Sequence, residues 1–414
     1  MNKSIPEGWD NVMVRDLFSL NTHSVVPNNF PNEKFTYFSL PAFDELGTSI
    51  VVNGEEIESN KILIEMESIL VSKLNPRKPR VMIAKPKDNR VCSSTEFMAY
   101  VANDANSLSL EFFKYFFFSD IFHKRLQLVA TGSTNSHVRV TPSETLNWNL
   151  NIPPLKEQKK IASIISSVDE VIENTQKQID KLQDLKKAMT NELLAKGIDH
   201  TEFKDSELGR IPKSWDVKRL SELTIKVGSG LTPRGGESVY QKQGIIFIRS
   251  QNVYFDGLKL EDVAYISEEI HAGMQGSIVY GGDVLLNITG ASIGRCLVVP
   301  DVFAEANVNQ HVCIIRTTDS LHNKFLGMWL SSDYGQNQIM RFQAGGNREG
   351  LNFEQIRSIL VPIPHLDEQE RAGKVVDAIQ KSINEVQLKL YQTHSLKKSL
   401  MQDLLTGKVR VKVN

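Results

Sequence analysis

The chain has 414 residues, of which 41% are apolar and 23% charged, with a formal net charge of −1. That length exceeds what one hydrophobic core ordinarily organises, so two domains with connecting elements are expected. The near-zero charge excludes a chain that simply coats nucleic acid, and no run approaches the roughly 18 apolar residues that a membrane span needs.

The opening MNKSIPEGWD has no apolar segment behind Lys3, so no signal peptide is expected, and the cytoplasm is the expected location. Residues 1–150 read as a mixed sheet-and-helix module in which short β-branched and aromatic runs such as VMIA at Val81 alternate with turn signals. Within it, KLNPRKPRVMIAKPKDNR concentrates Lys73, Arg77, Lys78, Arg80, Lys85, Lys87 and Arg90 around Asn75, against the single acid Asp88. Proline-stiffened basic segments of this kind either press against phosphates or are ordinary solvated loops. Close to the end of the module, TGSTNSHVRVT supplies Ser133, Asn135, His137 and Arg139, as a nucleic-acid contact or as a turn leading into the next element.

Residues 151–198 begin with IPPLKEQ at Ile152 and read as a long helix of about 40 residues, or about 60 Å. Ile161, Val168, Thr175, Leu182 and Met189 recur every seven residues, Ile164, Val171 and Leu185 fill d-type positions, and Ile165, Ile172, Ile179 and Leu193 widen the stripe. A two-stranded seam needs only the a and d positions, so the wider flank is expected to dock a helical partner from another chain. Gly197 then ends the helix as a left-handed cap.

After a linker at 199–211, a second module at 212–361 opens with PKSWDVKRLSEL, an echo of PEGWDNVMVRDL at Pro6. It is richer in glycine, and its runs GIIFIRS, DVLLNITG and HVCIIRT again suit a mixed module. Arg234, Arg249, Asn252, Thr289, Arg295, Asn309, Gln310, Asn347 and Arg348 lie on its polar, glycine-flanked stretches. Arginine there can read guanine, and Asn or Gln can read adenine. Residues 362–414 hold a second long helix and a tail. From Ile363 to Leu405 this segment aligns without a gap onto Ile152 to Leu194, including Glu157 and Gln158 on Glu368 and Gln369. The register places Ile379, Val386 and Leu400 at a, with Val376, Ile383, Leu390 and Leu404 on the flank. Gly373 makes it the less regular copy.

Catalytic constellations are missing. No GxxxxGK[ST] phosphate loop or GxSxG elbow occurs, and the pair Gly228 and Gly230 lacks the third glycine of a dinucleotide fingerprint. NIPPL at Asn151 departs from an Asn-Pro-Pro-aromatic methyltransferase loop because Ile152 intrudes. The three cysteines lie too far apart for a metal knuckle, and the nine histidines show no HExxH pairing, so no metal site is expected.

The order of module, IPxLxEQ helix, HTEFKDSELGRIPKSW linker (His200 to Trp215), module and IPxLxEQ helix resembles the specificity subunit of type I restriction–modification systems. YFSLPAFDE at Tyr37, ILVSKLNPRKPRV at Ile69 and STEF at Ser94 are similar to one class of its target-recognition domains, and GDVLLNITGASIGR at Gly282 and NVNQHV at Asn307 to another. The resemblance implies an α+β chain in which two mixed α/β recognition domains are separated by two long antiparallel coiled-coil helices, an internal tandem repeat. It implies that each domain reads one half of a bipartite, asymmetric double-stranded DNA target, and that the helices set the spacer and dock two modification subunits. S-adenosylmethionine would belong to those subunits, which methylate adenine N6, and ATP and Mg²⁺ to restriction subunits. The chain itself would bind no cofactor, catalyse nothing and touch no membrane. The rival expectations are a self-contained DNA-modifying enzyme and a protein-binding coiled-coil scaffold.

Overall fold

The computed structural model describes residues 5–86, 89–132, 138–343 and 350–413. The chain divides into two compact units, Met1–Thr175 with Lys389–Asn414, and Gln176–Leu388.

In the first unit, strand Asp10–Met13 pairs antiparallel with Asn149–Ile152, tying the start of the module to its end. A four-stranded sheet follows in the order Phe18–Leu20, Phe97–Ala102, Ser68–Ser72, Val81–Ala84, beside a five-stranded sheet ordered Ser24–Val25, Lys61–Leu63, Arg90–Ser94, Lys34–Phe38, Ile50–Asn53. All five residues of Ser68–Ser72 are buried, which is why that strand reads as a continuous run rather than an alternation. The aromatic segment LEFFKYFFF is the helix Leu110–Phe118, capped by Ser109. Ser119 caps the next helix, Asp120–Val129. Phe112, Phe113, Phe116, Phe117 and Phe122 pack with Phe18, Tyr100 and Trp148 in one core, with Phe18 and Phe113 edge to face at 4.9 Å. Such pairs contribute about 0.5–1.5 kcal/mol beyond their burial.

The second unit repeats this plan with different side chains. Asp216–Arg219 pairs antiparallel with Leu360–Ile363. The first sheet runs Thr224–Ser229, Val312–Thr317, Val284–Asn287, Cys296–Val298, and the second Ala264–Ile266, Ile245–Ile248, Ala306–Val308, Ile278–Val279. In each unit the second sheet contains one parallel pair, Lys34–Phe38 with Arg90–Ser94 and Ile245–Ile248 with Ala306–Val308. Helices Asn323–Ser331 and Asp333–Gln343 take the place of the aromatic pair, with Phe325, Leu326, Trp329 and Leu330 in the core. The α+β tandem repeat expected from the sequence is therefore present, carried at the level of topology where the two modules share little sequence.

The long helices are Leu155–Lys196 and Leu366–Leu404, of 42 and 39 residues. In the first unit Ile161, Ala162 and Ile165, near the start of the first helix, share one core with Met401, Leu404 and Leu405 at the end of the second. In the second unit Leu193 and Leu194 share a core with Ala372 and Val376. Within each unit the two helical segments are therefore antiparallel. This corrects the expectation for the apolar flank: Ile165, Ile179, Leu193, Val376, Ile383 and Leu404 are buried inside the chain, and Ile172 and Leu390 are half-buried. Ile165 and Leu404 lie in the core of the first unit and Leu193 and Val376 in that of the second, so these flank positions are covered by the modules.

The repeated Glu-Gln pair holds each long helix to its module. Gln158 is 2% exposed; its Oε1 accepts from the Ser109 backbone N–H (2.9 Å) and its Nε2 donates to the Pro153 carbonyl (2.9 Å). Gln369, fully buried, accepts from His322 N–H (2.8 Å) and donates to the carbonyls of Ser320 (3.2 Å) and Pro364 (3.0 Å). Ser109 and His322 are the equivalent N-caps of Leu110–Phe118 and Asn323–Ser331. Glu157 is held by Arg410, which donates from Nε (2.9 Å) and Nη2 (2.8 Å), keeping the carboxyl below its ordinary range. Glu368 accepts from Trp215 Nε1 (3.1 Å) and Ile198 N–H (2.8 Å), with His200 Nε2 at 2.9 Å. Gly197 (φ 65°) lets the chain turn here: a Cβ would lie 2.5 Å from Glu368 Oε1 and 2.7 Å from the Trp215 ring. Gly373 has a use as well, since it brings the second helix against Lys324, whose Cβ would stand 3.1 Å from an added Cβ.

Candidate nucleic-acid interface

In the first unit the two segments singled out in the sequence lie side by side. Leu74 and Thr131 each bridge to Arg139, the Asn75 N–H donates to the Val138 carbonyl (2.9 Å), and the Val140 N–H donates to the Lys73 carbonyl (3.0 Å). Asn75 adopts a left-handed φ of 48° and accepts from Lys78 N–H, closing a tight turn that presents Arg77 to solvent. Asn tolerates this conformation better than most residues.

Much of the basic charge is already answered within the unit. Arg80 is a correction: it is 8% exposed and donates from Nε and Nη2 to Asp44, both at 2.8 Å, so it is a buried structural cation and not a phosphate ligand. Lys78 adds a second cation at 2.9 Å, and together they hold the Asp44 carboxyl at about 2. Lys85 pairs with Glu67 (2.7 Å), Arg90 with Glu33 (2.8 Å) while covering the Phe30 ring at 3.9 Å, and Arg139 with Glu96 (3.0 Å). Lys73 and Arg77 have no ion-pair partner among the described residues. Lys87, Ser133, Asn135 and His137 lie outside the described residues. The sequence window could not reveal the neutralising acids, because they arrive from other segments, Asp44 from a helix and Glu33, Glu67 and Glu96 from the stretches between strands.

The second unit gathers its candidates more tightly. Gly230 approaches so closely that a Cβ would stand 1.7 Å from the Val308 carbonyl oxygen, and its N–H donates to Asn309 O (3.2 Å). Gly230 thus serves close packing of the segment carrying Thr232 and Arg234, while Gly228 stands in open space. Thr232 Oγ1 donates to Gln310 Oε1, Gln310 Nε2 lies 3.2 Å from His311 Nε2, and His311 Nδ1 lies 2.6 Å from Thr289 Oγ1. Thr289 bridges to Gly350; Asn347 and Arg348, a little earlier in the sequence, lie outside the described residues. An open depression of about 410 Å³ borders this chain, lined by Gln251, Tyr254, Thr289, Ser292, Arg295 and His311. Arg295 covers the Tyr254 ring at 4.7 Å.

Two expectations in this unit are corrected. Asn252 is 2% exposed; its Oδ1 accepts from Arg249 N–H (3.0 Å) and its Nδ2 donates to Lys259 O (2.8 Å), so it organises a turn. Asn309 is 7% exposed, and its Oδ1 accepts from His311 N–H (3.0 Å). Short polar side chains beside loops bond their own backbone first. Arg249 is half-buried, with Nη2 donating to the Asp262 carbonyl (3.3 Å), whereas Arg234 and Gln310 are exposed. Thr232, Gln251, Tyr254 and His311 escaped the sequence reading. His311 stands next to Gln310 in NVNQHV, as Gln251 does next to Asn252.

Among the described residues no group of three His, Cys, Asp or Glu could hold a metal ion, and no helix is long and apolar enough to cross a membrane.

The chain thus carries an α+β module in two copies, each with a Glu-Gln latch on its long helix. Residues 6–184 and 212–392 match the type I restriction modification DNA specificity domain, and the chain belongs to that family. It is 26% identical over 413 residues to the type I restriction enzyme MjaVIII specificity subunit of Methanocaldococcus jannaschii, covering 99% of this chain and 94% of that protein. It shares its fold with a type I restriction–modification S subunit from M. genitalium (TM-score 0.57, 15% identity, 98% of this chain and 97% of that one). It also resembles a chain from a structural study of complex assembly and conformational transition in the type I R-M system (TM-score 0.62, 17% identity, 98% and 100%).

Proposed function

We propose that this chain is the DNA-reading, non-catalytic subunit of a type I restriction–modification complex, in which each module reads one half of a split, asymmetric duplex target. The observation that carries the proposal is one topology holding two different polar surfaces at equivalent positions. Residues 73–80 and 288–295 each connect the same two strands of the first sheet, and each meets the segment just before its long helix, at Arg139 and Gly350. The frame is common and the readout differs, as two unlike half-sites require. Residues 1–150 and 212–361 are the exchangeable modules in this reading, with 151–198, 199–211 and 362–414 as helix, linker, and helix with tail.

The long helices set the spacer and dock two modification subunits. With the flank buried, the docking surface falls to the apolar side chains left exposed: Val171, Tyr391 and Leu396 in the first unit, and Leu185, Val375 and Leu388 in the second. S-adenosylmethionine is held by the modification subunits, and ATP and Mg²⁺ by the restriction subunits that join them.

The test is a map of N6-methyladenine in the host with the gene intact and deleted. Loss of one split, asymmetric motif on deletion is the expected result. Exchange of residues 1–150 for another recognition module is expected to change one half of that motif. A change in both halves, or methylation by the purified chain alone with S-adenosylmethionine, overturns the reading.

A further inference from the structure

Resting on that reading, we infer that Gln310 recognises an adenine in the major groove of the half-site met by the second unit, and that Thr232 and His311 orient its amide for this. Gln310 is exposed, while Asn307 and Asn309 on either side of Val308 are buried in internal hydrogen bonds. Its amide is held at both ends. Thr232 Oγ1 donates to Oε1, which faces Nε2 toward His311. With Nε2 donating to His311 Nε2 (3.2 Å), the imidazole proton belongs on Nδ1, which lies 2.6 Å from Thr289 Oγ1. A glutamine amide has two acceptor lone pairs and two N–H donors. Among the described residues, Thr232 and His311 occupy one of each and leave one of each.

A free donor beside a free acceptor matches adenine, which shows N7 as acceptor and N6–H as donor in the major groove. Guanine shows two acceptors there, cytosine a donor and thymine an acceptor beside its methyl group. Anchoring also removes rotamer freedom that a long exposed side chain otherwise loses on binding. Thr232 is brought within reach because Gly230 lies against the Val308 carbonyl, and Arg295 and Arg234 on the neighbouring loops are available to the flanking phosphates.

The experiment uses the full chain in its complex, with the methylated motif and its two halves assigned by exchanging residues 212–361. Gln310→Ala is expected to relax one A·T position of the second half-site, lowering discrimination there on the order of 10- to 100-fold, with every other position unchanged. Gln310→Glu is expected to shift the same position toward cytosine. Thr232→Val is expected to relax that position too, and Thr232→Ser to restore it, whereas a purely structural role would lower methylation at all sites without relaxing any. A second half-site without an A·T pair overturns the inference, as does relaxation at another position, or equal loss at every site by a folded variant. A host map with no split motif overturns the specificity reading itself, and this inference with it.

Discussion

Replacing Gln369 with alanine isolates what the repeated Glu-Gln motif does. The side chain is fully buried and satisfies three backbone groups: the His322 N–H and the Ser320 and Pro364 carbonyls. Leaving a buried polar group unpaired costs about 1–3 kcal/mol. Partial rehydration through the space vacated by the side chain reduces the sum, so Gln369→Ala is expected to weaken the seating of the second long helix by about 3 kcal/mol. Gln158→Ala, with two such groups, is expected to cost about 2 kcal/mol in the first unit. Gln369→Glu keeps the acceptor for His322 but points a carboxylate oxygen at two carbonyls, so it is no milder. A chain with two units need not unfold in one step, so a single melting temperature is the wrong readout. Amide hydrogen exchange on the full chain is the right one. Gln369→Ala should speed exchange in Asn323–Ser331 by roughly 100-fold, the equivalent of the energy above. Leu110–Phe118 should be untouched, and Gln158→Ala should do the converse. Equal changes in both helices, or a change under threefold in either, would refute the latch.

Asp44 gives a pH signature. Its carboxyl is held at about 2 against an ordinary 3.8 by hydrogen bonds from Arg80 and then Lys78. The stabilisation is therefore complete above the ordinary value and fades as pH falls from about 4 to 2. Asp44→Asn should flatten that acid limb in exchange measurements on the first unit; an unaltered limb counts against the ion pair. Gly230→Ala should destabilise the second unit by about 1–3 kcal/mol through the clash with Val308, whereas Gly228→Ala, with nothing within 4 Å of its Cβ, should be close to neutral. Parallel denaturation of the two variants checks this, and equal effects would refute the close approach. Burial pushes the thiols of Cys92, Cys296 and Cys313 up to about 12. The native chain should therefore react with Ellman's reagent only on unfolding, and rapid reaction of any thiol would contradict its burial.

Amino-acid order alone was enough for the tandem repeat, the two long helices and the Gly197 end of the first, because identical letters and a seven-residue period are local and additive signals. The IPxLxEQ echo marks both Glu-Gln pairs in the sequence. It could not say what the glutamine grips, since Ser109 and His322 lie far away in sequence and become neighbours only when the modules fold. The same reason explains the misassigned flank. Periodicity shows how wide an apolar stripe is, and only packing shows whether a module or another chain covers it. Likewise a basic window counts cations, while Asp44, Glu67, Glu33 and Glu96 must be carried in by other elements before their neutralising effect exists. Amide side chains are thus separated by tertiary environment alone: Asn252 and Asn309 are buried and bonded to nearby backbone, whereas Gln310 is exposed and held by Thr232 and His311. Hydrogen-bond capacity is a property of the residue, but what remains of it after folding is a property of its neighbours.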